Sequence, residues 1–162
     1  MANSEVYTAR SGVVTVNAST ATPLHSVVAA TTFRAWVVGV RVGIVLSTAA
    51  AGNSVLIQLA RPGNSSDGTT ATPIPVPHDF SAPASLVTNF TAWTTPPTLG
   101  VVVAEYEIPF TTGSMWEEFP PLGYEWQIPA IADASANNGL HMFVTCSVAN
   151  STTFTSDIIV SY

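Results

Sequence analysis

The stretch Phe33-Arg34-Ala35-Trp36-Val37-Val38-Gly39-Val40-Arg41-Val42-Gly43-Ile44-Val45-Leu46 decides the fold class. It is dominated by β-branched residues, and period-two alternation leaves apolar groups on both faces. Phe33, Ala35, Val37 and Gly39 point one way, and Trp36, Val38, Val40, Val42, Ile44 and Leu46 the other. Only Arg34 and Arg41 interrupt, one on each face. A half-solvated antiparallel strand carries polar residues at every second position. The pattern therefore predicts a strand covered on one face by a second sheet and on the other by a further chain.

Working outward, strand signals recur between clusters of Gly, Pro, Asn and Ser. They fall at Gly12–Val16, Pro23–Ala29, Ser54–Ala60, Leu86–Thr91, Val101–Phe110, Tyr124–Ile128, Leu140–Val148 and Phe154–Tyr162. No window sustains the i, i+3, i+4 spacing of a helix. Eight to nine strands in a single 162-residue domain predict an antiparallel β-sandwich of jelly-roll type. Three segments read as irregular: the polar loop Arg61–Thr72, the proline-alternating run Thr72–Pro83, and Gly113–Gly123. The N-terminal residues 1–11 read as an extended arm.

Composition narrows the function. Only 9% of residues are charged, against about 25% in an average soluble domain, while serine and threonine supply 37 residues. That balance suits a β-protein whose surface is partly hidden against copies of itself. Net charge is −6, with no lysine and four scattered cations, Arg10, Arg34, Arg41 and Arg61. Phosphate-backbone binding draws on clustered Lys and Arg, so nucleic acid is not an expected partner. The acidic balance also disfavours an anionic membrane surface. The first ten residues have neither a basic nor an apolar signal-peptide region. Synthesis in a cytoplasm is the expectation. Cys146 stands alone in an apolar run and is expected to be a buried thiol.

The residues that carry chemistry do not assemble into a reaction. His25, His78 and His141 are far apart and lack metal-ligand spacing. Glu105 and Glu107 share one strand face, but a pair on one face more simply reads as a solvated edge than as a glycosidase pair. No nucleophile elbow or phosphate loop is present. The expectation is a non-enzymatic protein without cofactor, catalytic residue or metal site. Four N-x-[ST] sequons, at Asn17, Asn64, Asn89 and Asn150, are ordinary in a chain so rich in Ser and Thr. Trp93, Trp116 and Trp126 lie outside the central strand; they suit subunit contacts, or alternatively stacking on sugars in a carbohydrate-binding module.

The order of motifs resembles a family of small proteins from tailed-phage structural gene regions. The resemblance rests on the opening Val6-Tyr7-Thr8-Ala9-Arg10-Ser11-Gly12, the Ala/Thr-rich Thr20–Val27, the arginine-bearing Phe33–Gly43 and Val55–Arg61. It continues through Gly68-Thr69-Thr70-Ala71-Thr72-Pro73-Ile74-Pro75 and Pro121-Leu122-Gly123-Tyr124-Glu125 to a closing Val- and Tyr-bearing strand. It spans nearly the whole chain through short motifs. What it implies is a capsid decoration, or cement, protein that sits as a homotrimer on the outer shell of a bacteriophage virion. Its partners would be itself and the major capsid protein; the alternative within the same resemblance is a tail- or fibre-associated module that binds host-surface carbohydrate through Trp93, Trp116 or Trp126. On that reading the residues expected to touch neighbours are Tyr7 and Arg10 in the arm, Trp36 and Trp93 on strands, Pro75 in the proline run, and Met115, Trp116 and Phe119 in the loop.

Overall fold

The computed structural model describes residues 5–16, 19–29, 34–48, 53–63, 67–70, 76–77, 87–128, 139–149 and 151–161. Among these residues run twelve strands and no helix: β1 (Val6–Val16), β2 (Thr22–Ala29), β3 (Ala35–Leu46), β4 (Ser54–Pro62), β5 (Asp67–Thr70), β6 (Val76–Pro77), β7 (Val87–Thr95), β8 (Leu99–Pro109), β9 (Met115–Glu118), β10 (Trp126–Ile128), β11 (Leu140–Cys146) and β12 (Thr152–Ser161). They form two antiparallel sheets. One has the order β10-β3-β12-β1-β6, with β9 also on β3; the other runs β5-β7-β2-β11-β4-β8.

Remove β5, β6 and β7 and a jelly roll remains. Its halves are β1-β12-β3 with β9 and β10, facing β2-β11-β4-β8, and successive strands switch sheets except between β4 and β8 and between β9 and β10. The three extra strands all come from the β4–β8 connection. They extend both sheets on one side, β6 against β1 and β7 against β2. Alternation explains the packing. In β12, Thr152, Phe154, Ser156, Ile158 and Val160 are all buried while the residues between them are not. They meet Leu24, Ile57, Leu59, Leu140, Met142 and Val144 from the facing sheet in one core. Each such side chain contributes about 1.5–3 kcal/mol by leaving water. Cys146 is buried there as a free thiol, and loss of solvation raises its pKa.

Two expectations are corrected. First, β3 does not have two apolar faces. Val160 stands opposite Val37 and Ile159 opposite Gly39, so Val38 is an extra residue, a β-bulge. The bulge shifts the alternation by one. Ala35 and Val37 before it, and Val40, Val42 and Ile44 after it, all face the core and are buried. The outer face keeps Trp36, Arg41 and Val45, all exposed. Second, the arm ends before residue 6: Val6–Arg10 pair with Asp157–Ser161, and Tyr7 and Ala9 are wholly buried. Gly12, at φ +67, lies in a bulge that lets β1 continue to Val16. Residues 1–4 lie outside the described residues.

Two further segments read as loop are strand. Met115–Glu118 pair with Val40–Gly43, and Val76–Pro77 pair with Tyr7 and Thr8 of the same chain.

Candidate functional site

The two sides of the sandwich are finished differently. The β4–β8 insertion covers the β1/β2 side. On the other side β8, eleven residues long, is among the described residues hydrogen-bonded to β4 alone and ends its sheet. In the facing sheet β9 and β10 lie one after the other along β3, and residues 119–125 leave the sheet between them. Pro120 and Pro121 have no N–H to give a ladder, which accounts for the excursion. It closes as a tight turn: Tyr124 N–H donates to the Pro121 carbonyl at 2.9 Å, and Gly123 sits at φ +88. A glycine at that position is what a type II turn requires. Glu125 adds a carboxylate oxygen, 2.8 Å from Gly123 N–H.

Between this turn and β8 lies an open groove of about 490 Å³. Val103, Glu105 and Tyr106 form one wall, and Glu118, Tyr124 and Trp126 the other. Beneath it Tyr106 stacks on Trp116 across the sheets, with centroids 5.3 Å apart and planes 24° from parallel. That pair closes the sandwich. Glu105 is oriented from inside: Gln58, itself 8% exposed, donates Nε2–H to Glu105 Oε2 at 2.7 Å. No residue lining the groove is a cation. Val101 and Val102 on the same strand β8, and Leu122 in the turn, are also exposed, the last at 93%.

The outer face of the β1–β12–β3–β9 sheet carries a second arrangement. Arg10, Asp157, Arg41 and Glu117 occupy directly opposed positions on four neighbouring strands. Their charges alternate across the sheet. Arg10 Nε lies 3.4 Å from Asp157, Arg41 holds Glu117 at 2.9 Å with both carboxylate oxygens engaged, and Arg41 reaches Asp157 at 4.0 Å. Cross-strand pairs of opposite charge suit this face.

A third polar group is buried. His25 Nε2–H donates to Asn89 Oδ1 at 2.5 Å, and Ser156 Oγ–H donates to His25 Nδ1 at 3.0 Å. Asn89 in turn donates Nδ2–H to the Arg10 carbonyl. This ties β2 and β7 of one sheet to β12 and β1 of the other. Burial pulls the His25 pKa from 6.5 down to about 4 against the opposing effect of the Asn89 bond, with His141 adding to the fall. On the far face of the same sheet His141 Nδ1 lies 2.5 Å from Ser26 Oγ. Neither histidine stands in a cluster able to hold a metal among the described residues.

The predicted contact residues divide. Tyr7 is wholly buried, with its hydroxyl donated to Glu5, and Trp116 is 4% exposed under Tyr106; both serve this chain's own packing and offer no surface. Arg10 is exposed but paired within the chain. Trp36, Met115 and Phe119 are exposed, at 38%, 56% and 54%. Trp93 is half-buried. Pro75 and His78 lie outside the described residues. Of the three tryptophans considered for sugar stacking, only Trp126 lines the groove. Gln58, Tyr106, Glu118 and Tyr124 were not singled out as site residues, because the groove forms only when the excursion on β3 comes beside β8.

No protein-family model matches this chain, and no curated protein does. Among solved structures, PirA is similar over 98% of this chain and 94% of its own, at 11% identity and a TM-score of 0.34. A chain of deformed wing virus carrying the GFP gene is similar over 95% and 74%, at 13% identity and 0.30. The 60-mer BFDV capsid protein is similar over 100% and 95%, at 7% identity and 0.28.

Proposed function

We propose that this chain is a structural protein of a tailed-phage virion, a decoration protein bound outside the capsid and not an enzyme. The observation that carries the reading is the concentration of exposed apolar residues at one side of the jelly roll. Val103, Tyr106 and Tyr124 line the groove there, and exposed Val101, Val102 and Leu122 lie on the same strand β8 and the same turn. Exposed apolar groups gathered in this way mark a docking surface. The motif order supports a phage shell as the thing docked upon.

In this reading the major capsid protein is the partner at that side, and the chain assembles with two more copies of itself. Exposed Val45, Leu46 and Met115 supply apolar surface for the copies. Nucleic acid and membrane have no part, given the acidic balance and the absence of lysine. The protein is made in the host bacterial cytoplasm and ends on the capsid surface. Its mechanism is linkage: a protein that binds the assembled shell and not loose subunits shifts the equilibrium toward the intact shell.

The test is add-back. Shells lacking this protein should release their DNA at a lower temperature than complete ones, and purified protein should restore the difference. A Leu122→Asp/Tyr124→Asp variant, changed only at exposed positions, should fail to restore it. Equal release temperatures with and without the protein would remove the stabilising role.

A further inference from the structure

We infer that the groove along β8 takes an extended, lysine- or arginine-bearing segment of a partner protein, added beside β8 as a further strand. The inference deepens the shell-binding reading by naming the chemistry of the segment the partner must present.

Three independent features meet at this groove. The first is backbone. Among the described residues β8 pairs with β4 on one side only, and an antiparallel edge strand presents half of its N–H and C=O groups outward as a template. The second is charge. Glu105 and Glu118 line the groove with no cation among the lining residues, and Glu107 stands one alternation further along the same strand. Side chains of an added strand recur on one face about every 7 Å, so alternate residues of the ligand meet Glu105 and Glu107 in turn. The third is aromatic surface. Tyr124 is 78% exposed and Tyr106 52%, with Trp126 in the same wall as Tyr124. Carboxylates beside aromatic faces favour ammonium and guanidinium groups through ion pairing and cation–π attraction.

A second copy of this chain does not suit the groove. The sequence has no lysine, and all four arginines are engaged within the chain: Arg10 and Arg41 in ion pairs, Arg61 on the carbonyls of Gly139 and Gln127, and Arg34 as well. Pairing β8 with another β8 only adds carboxylates to carboxylates, which disfavours self-association at this edge. Anionic ligands are disfavoured for the same reason.

The experiment uses the intact protein and three end-blocked, fluorescein-labelled peptides. One is Val-Arg-Val-Arg-Val-Arg-Val; the second is the same peptide with alternate backbone amides methylated; the third carries glutamate for arginine. Anisotropy should report binding of the first alone, weakened by salt. The Glu105→Gln/Glu118→Gln protein, which keeps the side-chain shapes and acceptor oxygens, and the Tyr124→Ala protein, altered at an exposed ring, should melt like the parent and bind about ten-fold more weakly. No binding of the arginine peptide would overturn the proposal. So would equal binding of the methylated peptide, or binding untouched by the substitutions. Binding of a neutral hexasaccharide through Tyr124 and Trp126, with no peptide binding, would assign the groove to sugar and also overturn it. Because no virion enters the assay, its outcome is independent of whether the chain occurs on a shell.

Discussion

His25 is 0% exposed, yet it holds two hydrogen bonds that join the sheets. Its folded-state pKa of about 4 lies below the unfolded value of 6.5. The unfolded chain therefore binds the extra proton between these values. The stability this histidine contributes is complete above pH 6.5, falls as pH drops through the window and is gone below about 4. The full effect is about 3 kcal/mol. Urea unfolding followed from pH 7 to 4 should show that loss beyond what His25→Gln shows. An NMR titration should find the His25 ring neutral until near pH 4; a midpoint near 6.5 would sink the argument. The exposed row on the outer face behaves differently. Arg41 is raised in pKa chiefly by its bond to Glu117, but its side chain is 46% exposed. A double-mutant cycle on Arg41 and Glu117 should give a coupling of about 0.5 kcal/mol that salt reduces.

At the scale of elements, bulges and contacts decide what alternation leaves open. β12 was legible because its alternation runs unbroken from Thr152 to Val160. In β3 the alternation misleads because Val37-Val38-Gly39-Val40 looks continuous, and nothing local marks Val38 as the residue without an opposite partner. In β1 the run Arg10-Ser11-Gly12 looks like a strand's beginning; the strand instead passes through a bulge there, where Ser11 Oγ accepts from Ser156 N–H. Gly39 has a further duty. A Cβ placed on it would lie 2.5 Å from Phe119 Cε1. Gly39→Ala should therefore destabilise the protein by about 1 kcal/mol by pushing the Phe119 ring off β3. In a Phe119→Ala background the same change should have much less effect; undiminished destabilisation there would place the strain elsewhere. The stack of Tyr106 on Trp116 is worth about 1 kcal/mol beyond its buried area. Tyr106→Leu should lower the urea midpoint accordingly, and no change would show that the open side is held shut by other contacts.

For the whole molecule, the sandwich was legible and the groove was not. Strand count, turn residues and β-branched content follow from local pattern. The groove needs Glu105 and Tyr106 brought against Tyr124 and Trp126, a juxtaposition made by the pairing of β9 and β10 with β3. The same holds for Trp116, which the sequence placed in a loop and the fold buries. With one face of β3 in the core and Arg41 on the other, the exposed apolar groups lie on β8, in the excursion and at the end of β3, not along a whole strand face. Light scattering behind a sizing column should still find a trimer, three times 16.9 kDa; a monodisperse monomer would leave trimerisation to the shell. The most direct measurement is the copy number of this chain in purified virions, by quantitative mass spectrometry against the major capsid protein. The account predicts a stoichiometry set by capsomers, many copies per particle, stripped from the outside without opening the shell. Absence from the particles, or a handful of copies that travel with tails, would contradict it.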